Sequence, residues 1–171
     1  MSEIVIRLAT VTDAELIAII SRETFYESFA SFNTKTDIDK FLSEQFSIEI
    51  LTSQVFEKEN IFFLAYVNNE IAGYVFLKLD AYENIHFESG FEISRFYVKS
   101  SFIRKGIGKA LMKAVISFAK DEKQKFIWLG VWKYNQRAVL FYTSFGFEKI
   151  GEQDFLLGED LQRDWVMKLS L

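Results

Sequence analysis

The chain has 171 residues, of which 50% are hydrophobic and 17% aromatic, and its formal net charge is −4 at pH 7. Length and composition indicate one globular domain over residues 1–171, able to bury roughly 70% of the surface of its unfolded chain. With no cysteine and one histidine, disulfides and thiolate metal sites are excluded, and no metal cofactor is expected. The negative charge argues against nucleic-acid binding and suits a cationic partner.

Membrane association is not expected either. The longest apolar run, Ile61 to Val67, is much shorter than the ~20 residues that span a bilayer. Glu3, Arg7 and Asp13 interrupt the apolar residues near the start, which does not fit the core of a signal peptide. We therefore expect a cytoplasmic protein with no membrane partner, and a homodimer is left open.

The chain opens with a predicted strand followed by a long helix. Residues 4–10 predict the strand. After a cap at Thr12 or Asp13, apolar side chains recur at helical spacing, at Leu16, Ile19, Ile20, Phe25 and Phe29. Two shorter helices are expected over residues 36–46 and 48–57.

The rest of the chain alternates strands and helices. Residues 61–67 and 71–79 flank turn residues typical of a β-hairpin. From residue 107 the apolar positions predict an amphipathic helix, at 107, 110, 111, 114, 115, 118 and 119. The other predicted elements are strands over 91–98 and 125–132, a helix over 135–145, and two strands around a turn at 158–160. The alternation predicts a mixed α/β sheet.

Two glycines, Gly106 and Gly108, lie among cationic residues between a predicted strand and the amphipathic helix. A Rossmann fingerprint fails here because its third glycine position is Leu111, and a P-loop fails because its end positions are Ile103 and Ala110. A simpler role fits: the glycines let main-chain N–H groups converge on an anion at the helix N-terminus, which carries about half a positive charge. A plain tight turn with solvated lysines is the alternative.

Three motifs, in this order, resemble the GNAT superfamily of acyl-CoA-dependent N-acetyltransferases. They are RFYV at 95–98, RKGIGKAL at 104–111, and N-x-x-A-x-x-F-Y-x-x-x-G-F at 135–147. Within the superfamily, ETFYESF at 23–29 and IWLGVWKYN at 127–135 are similar to the PaiA-type spermidine/spermine acetyltransferases. The resemblance implies an α/β GNAT fold, with a mostly antiparallel twisted sheet of six to seven strands, splayed at the middle and flanked by helices.

The resemblance also implies acetyl-CoA as co-substrate. In that family the pantetheine arm lies where two strands part, here residues 96–98 and 126–131, and the following loop wraps the diphosphate. The implied cofactor-binding residues are Phe96, Tyr97, Val98, Ile103, Arg104, Lys105, Gly106, Ile107, Gly108, Lys109 and Asn135. Ile103 departs from the family's usual Gln or Arg, so ligation there would rest on main-chain groups, with charge from the neighbouring cations.

Several single residues allow two interpretations. Asn135 is an N-cap worth ~1 kcal/mol and, by resemblance, a cofactor contact. Gly130 alternates with Trp128 and Trp132 on one strand face, which indicates a core or groove wall, or close approach by a ligand. The single histidine, His86, lies in a polar connection and is interpreted as a solvated loop residue.

Acetyl transfer to an amine needs a base and an acid. With a pKa of ~10.4, only about one alkyl amine in 10³ is neutral at pH 7. Family members often carry a base where this chain has Ser94. Glu92 lies on the same strand face, and we hypothesise that it accepts the proton through water; attracting substrate is its alternative role. Tyr142 matches the family's acid, which protonates the departing thiolate, and a core aromatic is its alternative interpretation.

Substrate preference is predicted from the first helix. Glu23 and Glu27 share one helix face with Tyr26 between them, which predicts an acidic, aromatic groove for a flexible polycation. The groove would be extended by Glu83, Glu88 and Glu92, and a solvated face is the alternative.

The sequence therefore predicts direct transfer of an acetyl group to a primary amine, most simply a polyamine such as spermidine or spermine. Without cysteine a cysteine acyl-enzyme is excluded, so a ternary complex is expected. The alternatives are a protein N-terminus, another small amine or antibiotic as acceptor, or a non-catalytic acyl-CoA-binding regulatory module.

Overall fold

The computed structural model describes residues 3–79 and 89–171, which form a seven-stranded sheet with helices on both faces. The strands are β1 (Ile4–Leu8), β2 (Asn60–Val67), β3 (Glu70–Leu79), β4 (Gly90–Val98), β5 (Phe126–Trp132), β6 (Glu148–Leu157) and β7 (Asp160–Ser170). The helices are α1 (Ala14–Phe29), α2 (Lys35–Glu44), α3 (Ile48–Phe56), α4 (Ile107–Asp121) and α5 (Gln136–Ser144). Short 3₁₀ turns at Val11–Asp13 and Ser100–Phe102 precede α1 and the α4 loop.

The strand order is β1-β2-β3-β4-β5-β7-β6, and every neighbouring pair is antiparallel except β4 and β5. The parallel pairing is short and ends where Glu92 lies beside Trp128. Beyond this point β4 stays paired with β3, and β5 stays paired with β7. The sheet is therefore splayed at its middle, which confirms the predicted GNAT architecture.

Helices cover the sheet in two layers. On one face α4 buries Leu111, Met112 and Val115 in a cluster that also holds side chains of β2 to β5 and β7. On the other face Ile17 and Ile20 of α1 pack in a cluster with side chains of β2 and β3. Of the helices in the described ranges, none has both the length and the apolarity needed to cross a membrane.

The buried face of α1 differs from the predicted stripe. Ile19 was expected to face the core but is 52% exposed, whereas Ile17 is fully buried. The true inner face includes Ser21 and Thr24, and Thr24 Oγ1 satisfies its hydrogen bond within the helix by donating to the Ile20 carbonyl at 2.7 Å. Because two residues of the buried face are polar, the spacing of the apolar residues does not define that face. The prediction that Ile19 is buried was therefore wrong.

β4 carries a β-bulge at the start of the splay. Phe76 of β3 pairs with Arg95 and Leu77 pairs with Ile93, so Ser94 has no partner in this register. A bulge shifts the side-chain alternation that follows it. Arg95 consequently lies over rings on the α1 face, while Phe96 packs on the α4 face.

The turn between β6 and β7 is attached to α2. Asp37 Oδ1 accepts a hydrogen bond from the Glu159 main-chain N–H at 2.9 Å, and Lys40 Nζ lies 3.2 Å from Glu159 Oε1. Phe41 of α2 also packs against Phe155 of β6, with ring centroids 5.8 Å apart. These contacts hold α2 beside the hairpin on the α1 face of the sheet.

Candidate active site

A cleft of about 960 Å³ lies where β4 and β5 part. We call one wall the loop side; it is formed by residues 96–98, 102–104 and 106–109 with Asn135, Arg137, Ala138, Phe141 and Tyr142. We call the other wall the aromatic side; its main residues are Phe25, Phe29, Phe41, Glu44, Phe46, Gln54, Lys78, Arg95, Phe155, Gln162 and Asp164. Residues 130–132 of β5 line the cleft between the two sides.

The loop side presents main-chain donors. Arg104 and Gly106 both have a positive φ, of 65° and 85°, and Gly106 caps α4. The first hydrogen bond inside the helix runs from the Ala110 N–H to the Gly106 carbonyl at 3.0 Å. The N–H groups of residues 107–109 therefore have no acceptor within the helix, and together with the helix dipole they favour an anion.

The two loop glycines are needed for different reasons. A Cβ added at Gly106 would lie 3.7 Å from Ile4 Cδ1, so there is space, and the left-handed φ is what favours glycine. At Gly108 an added Cβ would stand 3.5 Å from the Phe141 ring and 3.8 Å from Phe96, both on the cleft wall. The missing side chain at 108 therefore keeps the cleft open beside these two rings.

The splay leaves one edge of β4 without a neighbouring strand. Past Glu92, the main-chain groups of β4 that face β5 have no ladder partner in that strand. Buried or half-buried backbone groups require hydrogen bonds, so an extended amide-bearing chain fits between the strands. The open edge, the amide cluster at 107–109 and the cationic Arg104, Lys109 and Arg137 together match the arm and diphosphate of coenzyme A.

Tyr142 lies at the floor of the loop side and is 8% exposed. Rings surround it, with centroid distances of 6.1 Å to Phe96, 5.4 Å to Phe141 and 5.7 Å to Phe147. Burial raises the pKa of Tyr142 above its usual value. Within the described ranges its hydroxyl has no hydrogen-bond partner, so a protonated donor is held in the cleft.

Asn135 has the capping role predicted from the sequence. Its Oδ1 accepts a hydrogen bond from the Ala138 N–H at 3.1 Å at the start of α5. The residue also lines the cleft, so the cap does not exclude a second role in cofactor contact.

Asp164 of β7 is a functional candidate that the sequence analysis missed. It lines the aromatic side, is only 9% exposed, and burial raises its pKa to about 6. A Cβ added at Gly130 would lie 3.3 Å from Asp164 Oδ2 and 2.5 Å from Gln153 Nε2. The close approach considered at Gly130 is therefore made by these two side chains.

Arg95, also unassigned from the sequence, brings a positive charge to the aromatic side. Its guanidinium lies 4.7 Å from the centroids of both Phe46 and Phe76, and Nη2 donates to Gln54 Oε1. Nη1 is buried and has no hydrogen-bond partner among the described residues. No described carboxylate forms an ion pair with Arg95.

The acidic residues predicted on α1 lie outside the cleft lining. Glu23 Oε1 is 3.2 Å from Lys99 Nζ. Glu27 accepts hydrogen bonds from the Ser100 N–H at 3.0 Å and from Ser100 Oγ at 2.7 Å. Tyr26 is 52% exposed. These carboxylates tie α1 to the segment just before the α4 loop, and their binding of substrate stays a prediction.

Other predicted residues also lie away from the lining. Glu92 is in register with Lys78 of β3 and Trp128 of β5, and the cleft is lined by its neighbours from Ile93 onward. Lys105 Nζ lies 5.0 Å from the centroid of the Phe102 ring. The catalytic role of Glu92 stays a prediction. Three predicted residues, Glu83, His86 and Glu88, lie outside the described residues.

Metal chemistry has no candidate site in the described part of the chain. Residues 3–79 and 89–171 contain no group of three or more His, Cys, Asp or Glu side chains able to hold a metal ion. The polar groups of the cleft are instead amides, the phenols of Tyr97 and Tyr142, cations and carboxylates.

Comparison with known proteins agrees with this geometry. Residues 22–147 match the acetyltransferase (GNAT) family. An uncharacterised N-acetyltransferase in the pepI 3′ region of Lactobacillus delbrueckii subsp. lactis is 35% identical over 158 residues, covering 92% of this chain and 91% of the relative. The spermidine N(1)-acetyltransferase of Thermoplasma acidophilum is 24% identical over 158 residues, covering 89% and 94%.

A solved structure shares the whole architecture. The crystal structure of the PaiA N-acetyltransferase from Thermoplasma acidophilum in complex with coenzyme A superposes with a TM-score of 0.81 and 22% identity, over 99% of both chains. The family match covers most of the chain, and the Lactobacillus relative matches nearly all of it. The chain belongs to the GNAT acetyltransferase family and is an acetyl-CoA-dependent N-acetyltransferase.

Proposed function

We propose that this enzyme acetylates a primary amine of a polyamine such as spermidine or spermine. The observation that carries the proposal is the composition of the aromatic side, where five phenylalanines line the same wall as the carboxylates Glu44 and Asp164. A flexible polycation binds through its methylene stems against the rings and through its ammonium groups to carboxylates and ring faces.

A relative supports this choice of acceptor. The Thermoplasma acidophilum protein that aligns over 94% of its own length is a spermidine N(1)-acetyltransferase. The same alignment covers 89% of this chain. Because the identity is 24%, the acceptor of this enzyme rests on the residues of its own aromatic side.

The loop side binds the acyl donor, acetyl-CoA. We assign the main chain of residues 103–109 to the diphosphate and the open edge of β4, at residues 96–98, to the pantetheine arm. Asn135 and the cationic side chains Arg104 and Lys109 contribute from the rim. Tyr142 donates a proton to the departing sulfur, because burial keeps its phenol protonated at neutral pH. Transfer is direct within a ternary complex.

The acceptor is tested with a panel of amines in a CoA-release assay. Spermidine and spermine are compared, at equal concentration, with a peptide bearing a free N-terminus and with an aminoglycoside. The proposal predicts that kcat/KM is at least about tenfold higher for a polyamine, which corresponds to about 1.4 kcal/mol of transition-state binding. A preference for the peptide or the drug contradicts the polyamine assignment, and coenzyme binding without turnover on any amine contradicts transfer altogether.

A second candidate acceptor is a peptide N-terminus, which the notable charge of Arg95 favours. Its guanidinium has no carboxylate partner among the described residues. A peptide offers carbonyl and carboxylate oxygens that accept from a guanidinium, whereas a polyamine offers none. The same panel separates the two candidates.

Glu44→Gln gives a matched test of the acidic rim. Glu44 lies at the exposed edge of the aromatic side, and Glu122, which is also exposed, lies at the end of α4 on the opposite face. For a polycation acceptor, Glu44→Gln raises the acceptor KM about two- to fivefold at low salt, and less at high salt because the charges are screened. Glu122→Gln leaves KM unchanged. Equal KM values for the two variants would show that the Glu44 carboxylate does not bind the acceptor.

A further inference from the structure

Asp164 has the position expected of a group that meets the acceptor nitrogen. It lies on β7 beside Trp132 of β5, and its Oδ2 lies over Gly130 together with Gln153 Nε2. Gly130 lines the cleft just beyond the point where β4 and β5 part. The carboxylate is thus on the aromatic side of the cleft, close to the point where β4 and β5 part.

The Asp164 carboxylate has no partner among the described residues. Asp164 is 9% exposed, and no described residue donates a hydrogen bond to it or forms an ion pair with it. A carboxylate that loses part of its hydration without gaining a partner destabilises the fold, and groups whose pKa is shifted in this way concentrate at functional sites. Its nearest neighbours on the same face of β7, Gln162 and Val166, are neutral, so the strand places no counter-ion directly beside it.

We propose that Asp164 is the general base of the reaction, receiving the acceptor ammonium and taking its proton. This rests on the proposed transfer to a primary amine, but not on that amine being a polyamine. Burial raises the pKa of Asp164 to about 6, which leaves it ionised at neutral pH yet a stronger base than an ordinary aspartate.

The proton and electron balance of the step is complete. Asp164 takes one proton from the ammonium group, and the freed lone pair of nitrogen attacks the thioester carbonyl carbon. The C–N bond forms, the C–S bond breaks, and its electron pair leaves on sulfur. Sulfur takes the phenolic proton of Tyr142. The Tyr142 phenolate then takes the second proton that nitrogen loses. The proton on Asp164 passes to solvent.

The other ionisable groups around the cleft are phenols, cations and one exposed carboxylate. Tyr97 of β4 and Tyr142 of α5 face the same opening. The pKa of Tyr97 is raised mainly by burial, and further by the charges of Tyr74, Tyr142 and Asp164. These phenols stay protonated at neutral pH. β5 and β6 contribute the neutral Gly130, Trp132 and Gln153 next to Asp164. The remaining charged residues of the lining are Glu44, Lys78, Arg95, Arg104, Lys109 and Arg137.

The test compares Asp164→Asn with Glu92→Gln and with Asp121→Asn, a control at the exposed end of α4. kcat/KM for an amine that the wild type acetylates is measured from about pH 5 to 9. In the wild type, we expect kcat/KM to rise with pH with an apparent pKa near that of Asp164. In Asp164→Asn, kcat/KM at neutral pH is lower by about 10²-fold or more. Its remaining pH dependence follows the concentration of neutral amine. Asp121→Asn keeps the wild-type profile.

Two further measurements exclude a merely structural effect. Asp164→Asn binds acetyl-CoA with an affinity within about twofold of wild type. Its deficit also shrinks for an acceptor amine whose own pKa lies below the assay pH, since that amine needs no base.

Three outcomes overturn the inference or what it rests on. A wild-type profile in Asp164→Asn overturns it, and loss of the low-pH limb in Glu92→Gln alone transfers the role to Glu92. A wild type that acetylates no amine removes the proposed function, and the inference with it.

Discussion

The two sides of the cleft are built in different ways. The loop side uses main-chain groups from one continuous stretch, residues 103–109, and from the open edge of β4. The aromatic side is assembled from side chains of α1, α2, β4, β6 and β7 that are far apart in the chain. A co-substrate shared across a family can be held by backbone geometry, whereas an acceptor must be selected by side chains.

The electrostatics of the two sides also differ. The cations of the loop side, such as Arg104 and Lys109, are exposed and can move to meet phosphate. The charges of the aromatic side, Arg95 and Asp164, are 8% and 9% exposed and are fixed by packing. Buried charges cost stability unless a ligand compensates them. We therefore expect the charges of Arg95 and Asp164 to lower the stability of the free enzyme while they contribute to its function.

Tyr142→Phe should cause a large loss of turnover, at the junction of the two sides. Turnover falls at least about tenfold, toward the 10²-fold typical of a lost proton transfer, while binding of acetyl-CoA stays near the wild-type value. Stability should be unchanged, because within the described ranges the hydroxyl makes no hydrogen bond that the variant would lose. Tyr134→Phe, at a residue 66% exposed on the neighbouring loop, is the control. Equal turnover in both variants would remove the acid role.

Asp164→Asn should stabilise the protein in a pH-dependent way. Since burial raises its pKa from 3.8 to about 6, the folded state binds the proton more tightly than the unfolded state. The stability associated with this group is fully present below about pH 4 and is lost as the pH rises through about 6. At about pH 8 the variant should gain about 1–2 kcal/mol, after discounting for water in the cleft. Thermal unfolding at pH 8 and pH 4.5 measures the difference, and an equal gain at both values contradicts it.

Gly106→Ala should damage the loop side alone. Its φ of 85° costs an alanine about 1–2 kcal/mol, and relaxing that strain turns the amides of residues 107–109. Affinity for acetyl-CoA falls several-fold, while the acceptor KM stays constant. Gly108→Ala is the matched comparison, because its Cβ would make ordinary contacts with Phe141 and Phe96, so it should retain wild-type stability. A larger loss of stability at 108 than at 106 contradicts this account of the loop.

Glu27→Gln should have the smallest effect, on the connection between the two sides. The carboxylate accepts two hydrogen bonds from Ser100, and weakening them costs about 0.5–1 kcal/mol at this exposed position. We expect a slightly lower melting temperature and no change in the acceptor KM. Glu15→Gln, exposed on the same helix, is the control. A higher acceptor KM at unchanged stability would instead support the substrate role predicted from the sequence.

The fold and the loop side could be predicted because their signals are local. The seven apolar positions from Ile107 define the inner face of α4, of which Ile107, Leu111, Val115 and Ala119 are fully buried. The glycines at 106 and 108 report a backbone conformation directly, and Gly106 has the positive φ that its position suggests. Asn135 likewise predicts the start of α5, because it is the N-cap of that helix.

The aromatic side could not be predicted because it depends on strand register. Asp164 reaches the cleft only because β7 pairs with β5 so that it lies beside Trp132 and next to Gly130. Its face of β7 also carries Asp160, Gln162 and Lys168, so an inward aspartate leaves no break in an apolar pattern. Arg95 is turned toward the α1 face by the bulge at Ser94, which no residue type in that segment signals.

The central claim is that acetyl-CoA lies between β4 and β5 with its diphosphate on the α4 loop. A crystal structure of the complex with coenzyme A tests it most directly. We predict diphosphate oxygens within hydrogen-bond distance of N–H groups in residues 103–109, and the pantetheine arm along β4 at residues 96–98. Coenzyme bound elsewhere, with the opening between the two strands empty, would contradict the account.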